Sequence, residues 1–165
     1  MISYKNEESR FIFRVAGLIF HDEKLLVHRM KKDDFYALPG GRVEMMENTE
    51  ITIVREMKEE LNIDVKVSRL LWIGEQFFED NGEKFHELCF YYGLECNDKN
   101  LNTKDSVFET IEDSREFEFK WVPISKLKDE EFYPLFIKDR ICELPTSIEK
   151  FVEIDDRAYM EFCRK

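Results

Sequence analysis

The pattern of apolar and polar positions along the chain reads as strands before and after one amphipathic helix. From Phe11 to Phe20 the residues are β-branched, aromatic or small, and the polar break His21-Asp22-Glu23 separates them from a second apolar run, Leu25-Leu26-Val27. That arrangement predicts a hairpin. A loop through Lys31–Asp34 then leads to Leu38-Pro39-Gly40-Gly41, where paired glycines mark backbone that turns sharply or approaches another group closely. Val43 follows in a short extended stretch.

Between Asn48 and Leu61 the apolar residues Ile51, Val54, Met57 and Leu61 recur at three- and four-residue steps, which predicts a helix with those four on its buried face. Asn48 suits an N-cap, Glu50 suits the first turn, and Asn62 can take the left-handed conformation that ends a helix. Val65–Phe78 reads as a strand, Asn81-Gly82 as a hairpin turn, and Phe85–Leu94 as the returning strand. Asn97–Asp105 is polar and is expected to be a loop. Phe117-Glu118-Phe119-Lys120-Trp121-Val122 alternates with period two before Pro123, the signature of a half-buried strand. Ser125–Lys165 is expected to be mostly helical. No repeat, low-complexity segment or linker divides the chain, so a single domain over residues 1–165 is expected.

Composition supports a folded chain. Of its 165 residues 43% are hydrophobic and 14% aromatic, with 15 Phe, enough apolar surface to build a core without metal or disulfide staples. The formal charge of −11 repels phosphate backbones, and no Lys/Arg cluster offsets it, so broad nucleic-acid binding is not expected. An anionic small molecule is still admissible where divalent cations stand between it and protein carboxylates. Cys89, Cys96, Cys142 and Cys163 have no C-x-x-C spacing and read as ordinary thiols of a reducing compartment. No apolar signal core opens the sequence and no run is long enough to span a bilayer, so no membrane partner and a cytoplasmic location are expected.

The helical segment carries the candidate chemistry. Glu56, Glu59 and Glu60 stand at i, i+3 and i+4, so their carboxylates project from one side of the helix and repel one another. A hard divalent cation such as magnesium relieves that repulsion and bridges carboxylates to substrate phosphates. An isolated E-x-x-E-E is most often a solvated acidic face; here the surroundings are more specific. Residues 41–63 read GRVEMMENTEITIVREMKEELNI, which resembles the box of the Nudix hydrolases, G-x5-E-x7-R-E-U-x-E-E-x-G-U with U a bulky aliphatic residue. Gly41, Glu47, Arg55, Glu56, Met57, Glu59, Glu60 and Ile63 match it. Asn62 departs from it, standing where the box has glycine, and asparagine is the residue that best tolerates the same backbone.

The resemblance extends to the hairpin before the box, to Leu38-Pro39-Gly40 and to the Trp121-Val122-Pro123 strand end, about three quarters of the chain. It implies an α/β fold, a Nudix-type α/β/α sandwich with a mixed β-sheet. It also implies Mg²⁺, with Mn²⁺ able to substitute, carried by Glu56, Glu59 and Glu60 and by the Gly40 carbonyl. Arg55 would orient the glutamates, with Glu47 as its partner. The implied reaction is attack of a metal-activated water on phosphorus in a diphosphate linkage of a nucleoside diphosphate derivative, so that the partner is a small nucleotide, and a homodimer is compatible with the family. Glu56, Glu59 and Arg55 are therefore candidate catalytic residues. For the general base the family offers a box glutamate or an acid on a later loop; Glu112, Glu116 and Glu118 are the later candidates, with Glu116 preferred because similar proteins bring a carboxylate in shortly before the Trp-Val strand.

Substrate contacts are less specified. Arg14 and Arg29 could clamp a phosphate, although each also suits an ordinary surface charge. Phe35, like Tyr36, Phe77 and Phe78, could stack on a base, and His86 could touch a substrate. Core packing explains such aromatics equally well, and none of His21, His28 and His86 has metal-ligand spacing, so each is expected to be a single surface or strand histidine. Two other functions share this scaffold: a catalytically silent nucleotide-binding sensor, in which losses among Arg55, Glu56, Glu59 and Glu60 are expected, and an isomerase.

Overall fold

A computed structural model describes residues 1–102, 106–112 and 114–155. The strands are β1 (Ser3–Lys5), β2 (Ser9–His21), β3 (Lys24–Met30), β4 (Gly40–Arg42), β5 (Lys66–Asp80), β6 (Glu83–Glu95), β7 (Val107–Glu112), β8 (Arg115–Pro123) and β9 (Glu149–Ile154). The helices are α1 (Thr49–Leu61), α2 (Lys99–Asn102) and α3 (Leu135–Arg140), with a 3-10 turn at Ile124–Asp129. Asp22 and Glu23 take positive φ between β2 and β3, as do Asn81 and Gly82 between β5 and β6, so both predicted hairpin turns form where two left-handed residues fit the strand twist.

The strands pair in the order β7-β8-β3-β2-β6-β5-β9, with β1 and β4 also on β2. The long β2 organises the sheet. One edge runs parallel to β6 from Ser9↔Lys84 to Ile19↔Leu94. Its other edge meets β1, then β4, then β3 in succession. Because β2 and β3 pair only at their turn, the segment carrying Gly40 and Gly41 lies between them: Ala37 bridges His28 and Gly40 pairs with Ala16. The sheet is mixed, as β2–β6 and β5–β9 are parallel and the other pairs antiparallel.

Period-two alternation sends neighbouring residues to two cores. Val15, Ile19, Leu26, Tyr92, Phe119 and Trp121 pack with Ile53 and Met57 of α1 on one face. Ala16, Leu18, Leu25, Val27, Trp72 and Tyr91 pack with Leu127, Ile137 and Ile141 on the other. This is a mixed sheet with helices flanking it on both faces. Full burial of Ile53 and Met57 contributes about 1.5–3 kcal/mol each and docks α1 on the sheet.

Four expectations require correction. The buried residues of α1 are Thr52, Ile53, Met57 and Glu60; Ile51 and Val54 are 56% and 37% exposed, because the face directed at the sheet is rotated from the apolar stripe toward the glutamates. Asn97–Asp105 includes the short helix α2, which buries Leu101, while 103–105 lie outside the described residues. Strand β7 was not anticipated. Among the described residues, the segment after Ser125 holds about one turn and a half of α-helix and then β9, which extends the sheet parallel to β5. Cys163 and the rest of the chain from 156 lie outside the described residues. Cys89, Cys96 and Cys142 are free thiols, and among the described residues no helix is long and apolar enough to cross a membrane.

Candidate functional site

The site forms where the loop bearing β4 meets α1. Asn48 caps the helix, its side chain accepting from the Ile51 N–H at 2.9 Å, and Asn62 ends it at φ 54°, ψ 34° with its N–H directed to the Lys58 carbonyl. Between these fixed ends, helical spacing directs Arg55, Glu56, Glu59 and Glu60 toward the loop and sheet.

Two glycines allow the loop to approach. Gly40 has φ 150° and a Cβ there would stand 2.2 Å from the Val15 carbonyl oxygen. A Cβ on Gly41 would stand 2.2 Å from Cδ of Glu56. The Glu56 carboxylate therefore occupies the space that any side chain at Gly41 would take.

Arg55 ties the acids together. Its Nε and Nη2 donate to the two oxygens of Glu47 at 2.9 Å each, a bidentate pair, and its Nη1 donates to Glu56 and Glu59 at 2.8 Å each. Nη2 also reaches the Arg42 carbonyl at 3.3 Å. Thr52 Oγ1 donates to Glu47 at 2.9 Å. The hydrogen bonds to Arg55 hold the Glu47 carboxyl at about 2, against the opposing effect of burial; the bonds to Glu47 in turn hold the Arg55 guanidinium above its ordinary value. Glu56 shifts the other way: burial raises it, opposed by Arg55. One guanidinium thus binds three carboxylates, Glu56 and Glu59 of α1 and Glu47 just before its N-cap, and offsets part of their charge.

Glu60 is separate from that cluster. It is 5% exposed, and its Oε2 has no hydrogen-bond partner. Nδ1 of His28, on β3, lies 3.4 Å away and is itself buried without a partner. His28 is a strand histidine, as expected, and is 7% exposed. Its significance was not visible in the sequence because the partner lies 32 residues later and is brought close only by packing α1 on the sheet. Among the described residues, no three histidine, cysteine, aspartate or glutamate side chains converge as a preformed metal cluster. Instead, Glu56 and Glu59 are gathered on Arg55, and Glu60 faces the sheet.

The remaining candidates separate. Arg14 joins the site: its Nη2 is 3.4 Å from the Gly40 carbonyl oxygen, and its Nε is 3.8 Å from the buried Glu87. Burial raises the Glu87 carboxyl, opposed by Arg14. Arg29 instead donates to Glu118 at 3.0 Å and lies 4.8 Å above the Tyr36 ring, whose hydroxyl donates to the same carboxylate at 2.5 Å. That hydroxyl bond and Arg29 keep the Glu118 carboxyl low. Glu116 is exposed and paired with Lys31 at 3.0 Å, and Glu112 is paired with Arg115 at 2.7 Å. Phe35 packs edge-on against Tyr133. His86 stacks on Phe77 and approaches Glu75 at 3.1 Å, away from the box residues.

The NUDIX domain profile matches residues 12–139, and the chain belongs to the Nudix superfamily. Over 98 residues it is 35% identical to an ADP-ribose pyrophosphatase of Methanocaldococcus jannaschii, covering 58% of this chain and 57% of that protein. Over 101 residues it is 34% identical to a human diphosphoinositol polyphosphate phosphohydrolase, covering 55% and 54%. The chain thus spans little more than half the length of these relatives. In fold it resembles the crystal structure of the mutator MutT protein from Bacillus halodurans, with TM-score 0.61 and 16% identity over 88% of this chain and 92% of that one.

Proposed function

We propose that the protein is a magnesium-dependent hydrolase of a diphosphate linkage in a nucleoside diphosphate derivative. The observation that carries this reading is the intact and mutually organised box: Arg55 bonded to Glu47, Glu56 and Glu59, beside a buried glutamate whose oxygen has no hydrogen-bond partner. A binding module without turnover has no need to keep all four of Arg55, Glu56, Glu59 and Glu60.

The residues fit a hard cation. The donors are all oxygens as magnesium prefers, and Gly41 leaves open the space in which Glu56 lies. Gly40, through its carbonyl, and Glu56, Glu59 and Glu60 would hold magnesium. When bound, the metal supplies electrophilic polarisation of phosphoryl oxygens and a lowered pKa for water. Arg55 keeps Glu56 and Glu59 oriented and offsets their repulsion before a substrate arrives. Arg14, whose Nη2 lies 3.4 Å from the Gly40 carbonyl oxygen, would meet an anionic group at that end of the site. Glu116 is retained as a candidate base, although its carboxylate is paired with Lys31, and Arg29, Phe35 and His86 as candidate substrate contacts.

The two curated relatives differ in the group their names attach to the diphosphate, so the shared chemistry is the anhydride. The test is a panel of sugar nucleotides, nucleoside triphosphates, dinucleoside polyphosphates and a diphosphoinositol phosphate, each with Mg²⁺ and with EDTA, read as released phosphorus species. Turnover of at least one nucleotide with Mg²⁺ and silence in EDTA is expected. Turnover that persists in EDTA, or none across the panel, contradicts the reading.

A further inference from the structure

We infer that His28 is a positioning residue for Glu60, donating a hydrogen bond from Nδ1–H to the buried Oε2 and fixing that carboxylate from the sheet side of the site. The inference rests on the reading of Glu60 as a magnesium-holding residue. It stands on the juxtaposition of two groups from distant parts of the chain. His28 Nδ1 and Glu60 Oε2 are 3.4 Å apart, both buried, and neither has a hydrogen-bond partner. Two isolated orphans would each bear a desolvation cost, whereas one Nδ1–H···Oε2 bond satisfies both. At 3.4 Å the two atoms stand just beyond the usual N–H···O range of about 2.7–3.2 Å, so a small rotation of either side chain closes the bond.

The imidazole is well held for this purpose. Its ring lies nearly parallel to Phe117, with centroids 5.6 Å apart, and tilts against Phe119 at 5.4 Å. The backbone of His28 also anchors the loop to the glycines: its N–H donates to the Ala37 carbonyl at 2.9 Å, and its carbonyl accepts from the Ala37 N–H at 2.8 Å. One residue thus braces the loop leading to Gly40 through its main chain and the last carboxylate of the box through its side chain. Outer partners of this kind typically set metal affinity by factors of about 10 to 100.

Amide substitutions test this, because asparagine Nδ2 can replace His Nδ1 whereas glutamine reaches further, toward the position of Nε2. Magnesium binding by calorimetry in the absence of substrate should weaken at least about tenfold in His28→Gln and His28→Leu, with substantial recovery in His28→Asn. The fall in kcat should follow the same order and KM should change less. Independently, nitrogen NMR of the metal-free wild type should find the proton on His28 Nδ1, with that signal moving in Glu60→Gln. Equal magnesium affinity in all three His28 variants, or an Nδ1 without a proton, overturns the assignment while leaving the hydrolase reading intact. If the wild type binds no magnesium, the reading of the metal site fails, and the proton position still decides the pairing.

Discussion

The backbone of Gly41 and the carboxylate of Glu56 are so close that a methyl group on the glycine would stand 2.2 Å from Cδ and between 2.2 and 2.4 Å from the two oxygens. The contact joins the loop to the helix at the acidic cluster. The group in the way is the tip of a flexible side chain, so a substituent would displace it rather than deform backbone.

Gly41→Ala should therefore separate activity from stability. Hydrolysis should fall by about two orders of magnitude or more, since a displaced carboxylate no longer meets its task, while the melting temperature changes little. Gly40→Ala is the contrast, because its Cβ would strike the Val15 carbonyl and the Ala16 backbone. It should lower the melting temperature clearly. Parallel melts and rate measurements on the two variants check this; equal destabilisation by both would contradict it.

Acid sensitivity has a predicted source in Glu47. Its folded pKa of about 2 lies below the unfolded value of about 4.3, so its bond to Arg55 stabilises the fold fully above the unfolded value and that contribution is lost as pH falls toward 2. Glu47→Gln should flatten the decline of melting temperature between about pH 5 and pH 2. Glu75, Glu83 and Glu118, also held low, leave a residual slope in the variant. An unchanged slope would mean that the Glu47–Arg55 pair is not made in solution.

The ends of α1 were legible in the sequence because capping is local: Asn48 and Asn62 act within a few residues of themselves. Asn62→Gly should be neutral or mildly stabilising and leave activity near wild type, since glycine reaches φ 54° without strain. Asn62→Val should cost roughly 1–3 kcal/mol, the usual penalty for a bulky residue in that region. Chemical denaturation measures both, and the reverse order would mean that Asn62 does not terminate the helix.

What was not legible depends on tertiary contacts. The apolar stripe named Ile51 and Val54 as buried, yet helix docking places Glu60 against the sheet and leaves those two exposed; a periodic pattern cannot register that a carboxylate takes a core position. Strands β7 and β9 are short and six residues each, at the two ends of the strand order, and they gain their pairing only from β8 and β5. The box was recognisable because its residues lie within 23 positions of sequence, whereas the Glu60–His28 juxtaposition exists only once α1 and β3 pack together.

The most direct measurement is the magnesium dependence of hydrolysis in Glu60→Gln beside Glu50→Gln. Glutamine keeps the size of Glu60 and can still accept from His28 Nδ1, but it lacks the charge that holds a hard cation against water. Glu50 lies in the first turn of the same helix, outside the box positions. The account predicts that Glu60→Gln lowers kcat at least about a hundredfold and weakens the response to Mg²⁺, with a metal-free melting temperature that is unchanged or higher, while Glu50→Gln behaves as wild type. Equal retention of activity in both variants, or equal loss in both, would contradict the assignment of this helix face as the metal site.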